Sequence, residues 1–337
     1  MYKNIKELDF LDLEHKDNLN KFYSWIPGLR LSDKIKDRNI KLEDGFFICS
    51  QEQHKTYRKI IGDYVKENFN VVNISSVVLY FKYPKDNRYY FVAQDKVRRF
   101  LTSVKIFYNQ NVDSILELSV CDNKDEKYFR IDNLSEHSDR QRELITDVYW
   151  RRNFIEIENE EYLKKIKKIY NNLGIADVEN FNKYSPLHNS IKFYEHSYRE
   201  RWALLKTMLL FVSLESILGE KTEITYKISS RASYLLYPKN SKKRLEIFNF
   251  LKKVYGIRSS FAHGGNVETD IRKIEKQMKE NKGVDYYGFH DDFVKDLESI
   301  VIGCLKIILL DKKLTELFSS TTNSKKISKF LDELVIG

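Results

Sequence analysis

At 337 residues the chain exceeds what one hydrophobic core commonly serves, so two domains are expected. Its 42% hydrophobic and 32% charged residues exclude a wholly disordered chain and support packed cores beneath a charged exterior. Lys and Arg number 58 against 49 Asp and Glu, a net charge of +9 that attracts polyanions such as RNA or DNA without selecting one.

Much of that charge sits in stretches such as "YLKKIKKIY", where lysines occupy the wet face of an amphipathic helix. The cysteines, Cys49, Cys121 and Cys304, are far apart and odd in number. Without a C-x-x-C spacing they suggest neither a zinc knuckle nor a disulfide framework, and they suit a reducing cytoplasm. The charged N-terminus "MYKNIKELDFLDLEHKD" lacks the apolar centre of a signal peptide. The stretch "IVIGCLKIILL" is short and interrupted by Lys306, so it reads as a core helix and not a membrane span. No metal site, cofactor motif or membrane association is expected.

The fold class expected is α+β, a mixed N-terminal domain over residues 1–180 followed by a helical domain over 186–320 and a tail or short helix over 321–337. Tyr57, Ile60, Ile61, Tyr64 and Val65 recur at helical intervals in Gln51 to Phe69, and "VVNISSVVLYFKY" then reads as a strand. "DKVRRFLTSVKIFYNQ" reads as helix at its start and strand at its end. Ser114 to Cys121 and Lys127 to Ile131 alternate around a polar turn, as a hairpin does. From about Asp139 the pattern becomes helical, and "EEYLKKIKKIYNNLG" ends on Gly174. The polar stretch around Pro186 is the expected domain boundary.

Beyond it no strand is expected. One long helix is predicted to end at Gly219, with Phe193, Trp202, Leu205, Leu209, Val212 and Ile217 on its apolar face. A shorter helix stops at Pro238, and a third runs from a cap at Ser241 to Gly264 and Gly265. After a long connection, Asn266 to Asp291, "DFVKDLESIVIGCLKIILLDKKLTELF" reads as a fourth helix.

The chemistry-bearing residues gather at the end of the third helix, "IRSSFAHGGN". Arg258 and His263 lie five positions apart, so they do not stack on one helix face, although a guanidinium is long enough to bridge some of the gap. A left-handed Gly264 would leave His263 at the negative helix end. An imidazole titrating near neutrality can shuttle protons, and an arginine fork can stabilise charge on phosphate oxygens. The spacing by itself is common: "RIDNLSEH", from Arg130 to His137, nearly repeats it at a strand end, where it is a coincidence.

Three stretches in order, "VSLESILGE", "ISSRASYLL" and "LKKVYGIRSSFAHGG", resemble the HEPN superfamily and within it the Apea-like HEPN group of anti-phage defence, over roughly Leu187 to Leu317. The resemblance implies a compact helical bundle and a metal-independent endoribonuclease, with Arg258 and His263 catalytic and two copies paired in a homodimer acting on RNA. The N-terminal domain carries no nameable motif; from architecture alone it is expected to be a sensor or regulator, with a phage-derived trigger as a candidate partner. Ser259 follows Arg258 where many active members carry Asn, Asp or His. Glu215 and Arg231 interrupt apolar faces and are expected to pair with each other, the alternative being a supporting role in the site itself. Ser259, Ser260 and Asn266 are candidates for phosphate contact, though serine near a helix end more often satisfies local backbone. His188 and His196 read as surface or boundary residues.

Overall fold

The computed structural model describes residues 2–4, 19–50, 76–84, 89–110, 116–122, 127–133, 155–176, 185–200, 202–220, 222–265 and 289–336. It is an α+β protein of two compact units, residues 1–170 and 171–337. The division falls inside a helix, ahead of the polar stretch at Pro186.

The first unit is built on a seven-stranded sheet in which every pair of neighbours is antiparallel. Its strands are β1 (Tyr2–Asn4), β2 (Leu19–Pro27), β4 (Ile40–Glu43), β5 (Phe46–Ser50), β6 (Ser76–Pro84), β7 (Leu116–Asp122) and β8 (Lys127–Asn133), ordered β1-β8-β7-β2-β6-β5-β4. The strand expected over residues 71–83 is β6, and the expected hairpin strands pair as β7 and β8, with Leu118 opposite Ile131. A parallel pair, β3 (Leu29–Leu31) with β9 (Ile155–Ile157), adds a second small sheet. The helix expected from about Asp139 therefore does not run unbroken, since residues 155–157 form a strand. The helix expected over 51–69 lies outside the described residues.

Helix α1 (Tyr89–Tyr108) replaces the expected helix-to-strand change. Ala93, Val97, Phe100, Leu101 and Val104 recur at three- and four-residue intervals and are buried with Ile26, Ile48 and Leu79 in one core cluster. That continuous buried stripe overrides the β-branched content of the segment. Asn109, at φ 55°, ends the helix in the left-handed region. Helix α2 (Glu160–Ala176) passes through Gly174, where an end was expected.

Among the described residues the second unit is entirely helical beyond α2. Helix α3 (Pro186–Arg199) starts at Ser185, whose Oγ accepts the His188 N–H at 3.1 Å, with Pro186 in the first turn. Helix α4 (Ala203–Leu218) follows after a break, so the single long helix of the sequence analysis is two. At the break Glu200 is extended, and its carboxylate accepts the Trp202 N–H at 2.8 Å. The two helices are joined across their crossing by Ser190 and Ser213, whose hydroxyls lie 2.9 Å apart. Small hydroxyl residues there allow close approach while satisfying each other's buried oxygens.

Next come α5 (Ile224–Leu236), α6 (Ser241–Ala262) and α7 (Phe289–Leu310). Asn240, not Ser241, caps α6, its side chain accepting the Lys243 N–H at 3.0 Å. The expected final helix is also divided: Asp311 caps a separate α8 (Lys312–Phe318) by accepting the Leu314 N–H at 3.1 Å. Helix α9 (Ser324–Ile336) closes the unit. Cys49 and Cys304 are buried, and burial pushes each thiol up to about 12. Among the described residues no helix is long and apolar enough to cross a membrane.

Arg231 of α5 ties α9 into this unit. Its side chain is 1% exposed and has the largest volume among the fully buried ones. Its guanidinium donates to the Leu218 carbonyl at 2.8 Å, to Ser328 Oγ at 2.9 Å and to Asp332 Oδ1 at 2.7 and 3.1 Å, with Glu220 3.4 Å away. Glu220 also pairs with Lys227 and accepts from Ser328. Arg231 therefore does not pair with Glu215 as expected: its partners come from the turn after α4 and from α9. Arg231→Ala should lower stability by about 3 kcal/mol, through the cavity it leaves and the orphaned Leu218 carbonyl. Asp332→Asn should cost less, because that carboxylate is half exposed. Chemical denaturation of both variants measures the difference.

Candidate functional site

The site is built at the C-terminal end of α6. Of its 22 residues only Leu251, Val254 and Ile257 are buried, a stripe at three-residue spacing that docks one narrow face. Most of the opposite face, including Lys252, Lys253 and Gly256, is exposed.

The helix stops at a double glycine. His263 is the C-cap, and its N–H bonds the Ser259 carbonyl at 3.1 Å. Gly264 takes φ 68°, as expected for the left-handed residue after a helix. Its N–H meets the Phe261 carbonyl at 3.3 Å, while the Gly265 N–H meets the Ser260 carbonyl at 2.7 Å. These two crossed bonds form a Schellman motif, which satisfies the last carbonyls and fixes the backbone that carries His263. The His263 side chain is exposed and makes no hydrogen bond or ion pair with a described residue.

Arg258 faces the other way. Five helical residues turn about 140° around the axis, and no bond joins Arg258 to His263. Arg258 Nη2 instead donates to Glu215 Oε2 of α4 at 3.2 Å. One turn earlier the same two helices meet through Phe211 and Tyr255, whose ring centroids are 5.9 Å apart. Glu215 thus pairs with Arg258, 43 residues away, and not with Arg231.

This pair differs from the Arg231 cluster in how much of it is used. The Arg258 side chain is 30% exposed, and its one hydrogen bond among the described residues uses one of the five guanidinium N–H donors. Glu215 is 17% exposed, and its Oε1 is buried with no hydrogen-bond partner among the described residues. Burial raises the Glu215 carboxyl above its ordinary value of 4.5; the charge and hydrogen bond of Arg258 oppose this without cancelling it. The carboxylate orients Arg258 at the cost of its own desolvation.

The other expected residues contribute less. Ser259 and Ser260 act through their carbonyls in the helix end. Asn266 lies outside the described residues. His188 bonds the Ala176 carbonyl through Nδ1 at 3.1 Å, and His196 is exposed. Among the described residues no group of three or more His, Cys, Asp or Glu could hold a metal ion.

Sequence periodicity missed Trp202. It was expected on the apolar face of one long helix, but the break before α4 leaves it 56% exposed. Its ring meets Phe261 edge-to-face, with centroids 5.8 Å apart, beside the last turn of α6. The one local signal was the charged cluster "YRERW", which marks a place where the buried stripe is interrupted.

The ionisation of Glu215 has a defined sign. Because its folded value is raised, the native state holds the proton more tightly than the unfolded chain, so its contribution to stability falls as pH rises from about 4.5 through the raised folded value. Wild type should therefore lose stability relative to Glu215→Gln across that interval. Denaturation midpoints of the two chains at a series of pH values measure this, and parallel profiles would refute it.

Comparison with known proteins finds no matching family model, no similar curated protein and no similar solved structure.

Proposed function

We propose that the protein is a metal-independent endoribonuclease of the HEPN type, in keeping with the resemblance of its helical half to the Apea-like group. The observation that carries this reading is the contrast between its two interrupting arginines. Arg231 is spent on internal partners, whereas Arg258, among the described residues, is held by a single carboxylate that uses one of its donors, with nearly a third of its side chain exposed. Guanidinium donors left over beside a solvent-reachable face suit the bidentate recognition of an anionic ligand.

In the proposed reaction the ribose 2′-hydroxyl of the substrate attacks the adjacent phosphorus. The bond to the 5′-oxygen breaks, leaving a 2′,3′-cyclic phosphate and a 5′-hydroxyl. Arg258 stabilises the negative charge that builds on the phosphate oxygens, and Glu215 positions Arg258. His263 moves the proton, taking it from the 2′-hydroxyl or giving it to the leaving oxygen. Arg258 and His263 point apart around one helix, so a site using both draws on two copies of the chain, with exposed α6 ends facing across a twofold axis. The sheet-containing unit is then a sensor or regulator, with a phage-derived molecule as its trigger.

A second reading, a non-catalytic RNA-binding or partner-binding module, is favoured by the Glu215–Arg258 pair itself and by the absence of a bond between Arg258 and His263. Activity separates the two. On single-stranded RNA with excess chelator, wild type should cleave, and Arg258→Ala and His263→Ala should each reduce the rate about 100-fold or more. Glu215→Gln should have a smaller effect, through loss of orientation. RNA that remains intact with wild type, or cleavage that survives His263→Ala, would leave the binding module as the better account.

A further inference from the structure

We infer that Trp202 and Phe261 form a base-stacking platform that holds one unpaired nucleotide of single-stranded RNA beside Arg258. The inference rests on the ribonuclease reading for its substrate, and it adds the group that selects the form of RNA.

The first argument is placement. Phe261 lies three residues after Arg258 on α6, about 4.5 Å along the axis and about 60° around it, so the two share a side of the helix, while His263 of the same chain lies about 160° from Phe261. Its ring contacts Trp202 at 5.8 Å with an interplanar angle of 71°. An edge-to-face pair covers at most one face of the indole with its partner. At least one broad face is therefore left uncovered by Phe261, on a side chain that is 56% exposed.

The second argument is rigidity. Trp202 is exposed, yet its backbone is held on both sides. Its N–H bonds Glu200 Oε1 at 2.8 Å, and its carbonyl accepts the Lys206 N–H at 2.9 Å as the first bond of α4. Lys206 is itself tied to Glu298 of α7 at 3.0 Å. A stacking surface is useful only if it loses little freedom on binding, and this one is fixed before a ligand arrives.

Charge and surroundings favour a nucleotide over a protein surface. Arg199, three residues before Trp202, is exposed, and Arg258, one turn before Phe261, is 30% exposed. The other exposed apolar groups of this unit's α5–α6 region, Tyr226 and Leu245, belong to the opposite end of α6. Leu245 is 16 residues from Phe261, about 24 Å along the helix. The aromatic pair is thus a small apolar island one turn from the Arg258 cation, not part of a broad apolar interface.

The chemistry asks for the same thing. Attack by a 2′-hydroxyl needs its oxygen, the phosphorus and the leaving 5′-oxygen brought into line, an arrangement that A-form stacking prevents. A base drawn out of the stack and laid on an aromatic face frees the adjoining sugar to rotate. Trp202 would thereby be a positioning residue that makes unpaired RNA the substrate.

The test uses the full-length chain carrying His263→Ala, which binds without cleaving. Fluorescence anisotropy is measured with a labelled oligoadenylate and with an abasic ribose-phosphate oligomer of equal length. Adding Trp202→Ala should weaken oligoadenylate binding about tenfold and leave abasic binding unchanged, while Trp202→Phe should retain most of the affinity. Equal binding of oligoadenylate with and without Trp202→Ala would overturn the inference. So would equal loss for both oligomers, no binding of either by the parent, or a change of oligomeric state on Trp202→Ala, which would make Trp202 a contact between copies. Base-dependent binding that relies on Trp202, joined to a wild-type chain that does not cleave RNA, would uphold the platform and reject the nuclease.

Discussion

The hydrogen-bonded ion pair between Glu215 on α4 and Arg258 on α6 is the constraint on which the site depends. Helix α6 docks by only a narrow stripe, so Leu251, Val254 and Ile257 fix its lateral position and leave its remaining surface open. The pair then settles where one cation points. It does so against the preference of the carboxyl, which burial pushes toward its neutral form and whose second oxygen is unpartnered among the described residues. A group kept in that state is poorly explained by stability alone, since an apolar residue of similar size would pack there without the desolvation cost.

The two interrupting arginines show how the same side chain serves different ends within one helical unit. Around Arg231 four elements converge: α5, the end of α4, the turn after it and α9. Four hydrogen bonds engage the guanidinium there, and the result is a closed structural joint. Around Arg258 one carboxylate sets direction, and among the described residues the remaining donors stay unspent. The exposed imidazole follows five residues later on the same helix and the exposed indole packs on Phe261 between them in sequence, each on a backbone pinned by main-chain or carboxylate hydrogen bonds. Fixed backbone with free side-chain chemistry is what a preorganised binding site requires.

Much of this was readable from the residues, and the losses have physical causes. The double glycine after "RSSFAH" specified a helix end with a left-handed residue, and Gly264 adopts it. The α+β composition and the β7–β8 pairing followed from alternation around a polar turn. The break between α3 and α4 was hidden because no glycine or proline marks it and the apolar positions continue almost in phase across it; the carboxylate of Glu200 and the extended backbone there replace the usual breakers. That hidden break is also why Trp202 was assigned to a core it does not enter. The partner of Glu215 could not be read because periodicity tells which face a residue occupies and not which helix meets that face. Arg231 was nearer in sequence, but its true partners included α9, whose role was unassigned.

The most direct measurement is the chemical identity of the ends that the wild-type chain leaves on single-stranded RNA in excess chelator. The account predicts fragments that carry 2′,3′-cyclic phosphate on one side of each cut and 5′-hydroxyl on the other. Fragments bearing 5′-phosphate and 3′-hydroxyl would contradict it, because the attacking oxygen would then be water and not the substrate's own ribose.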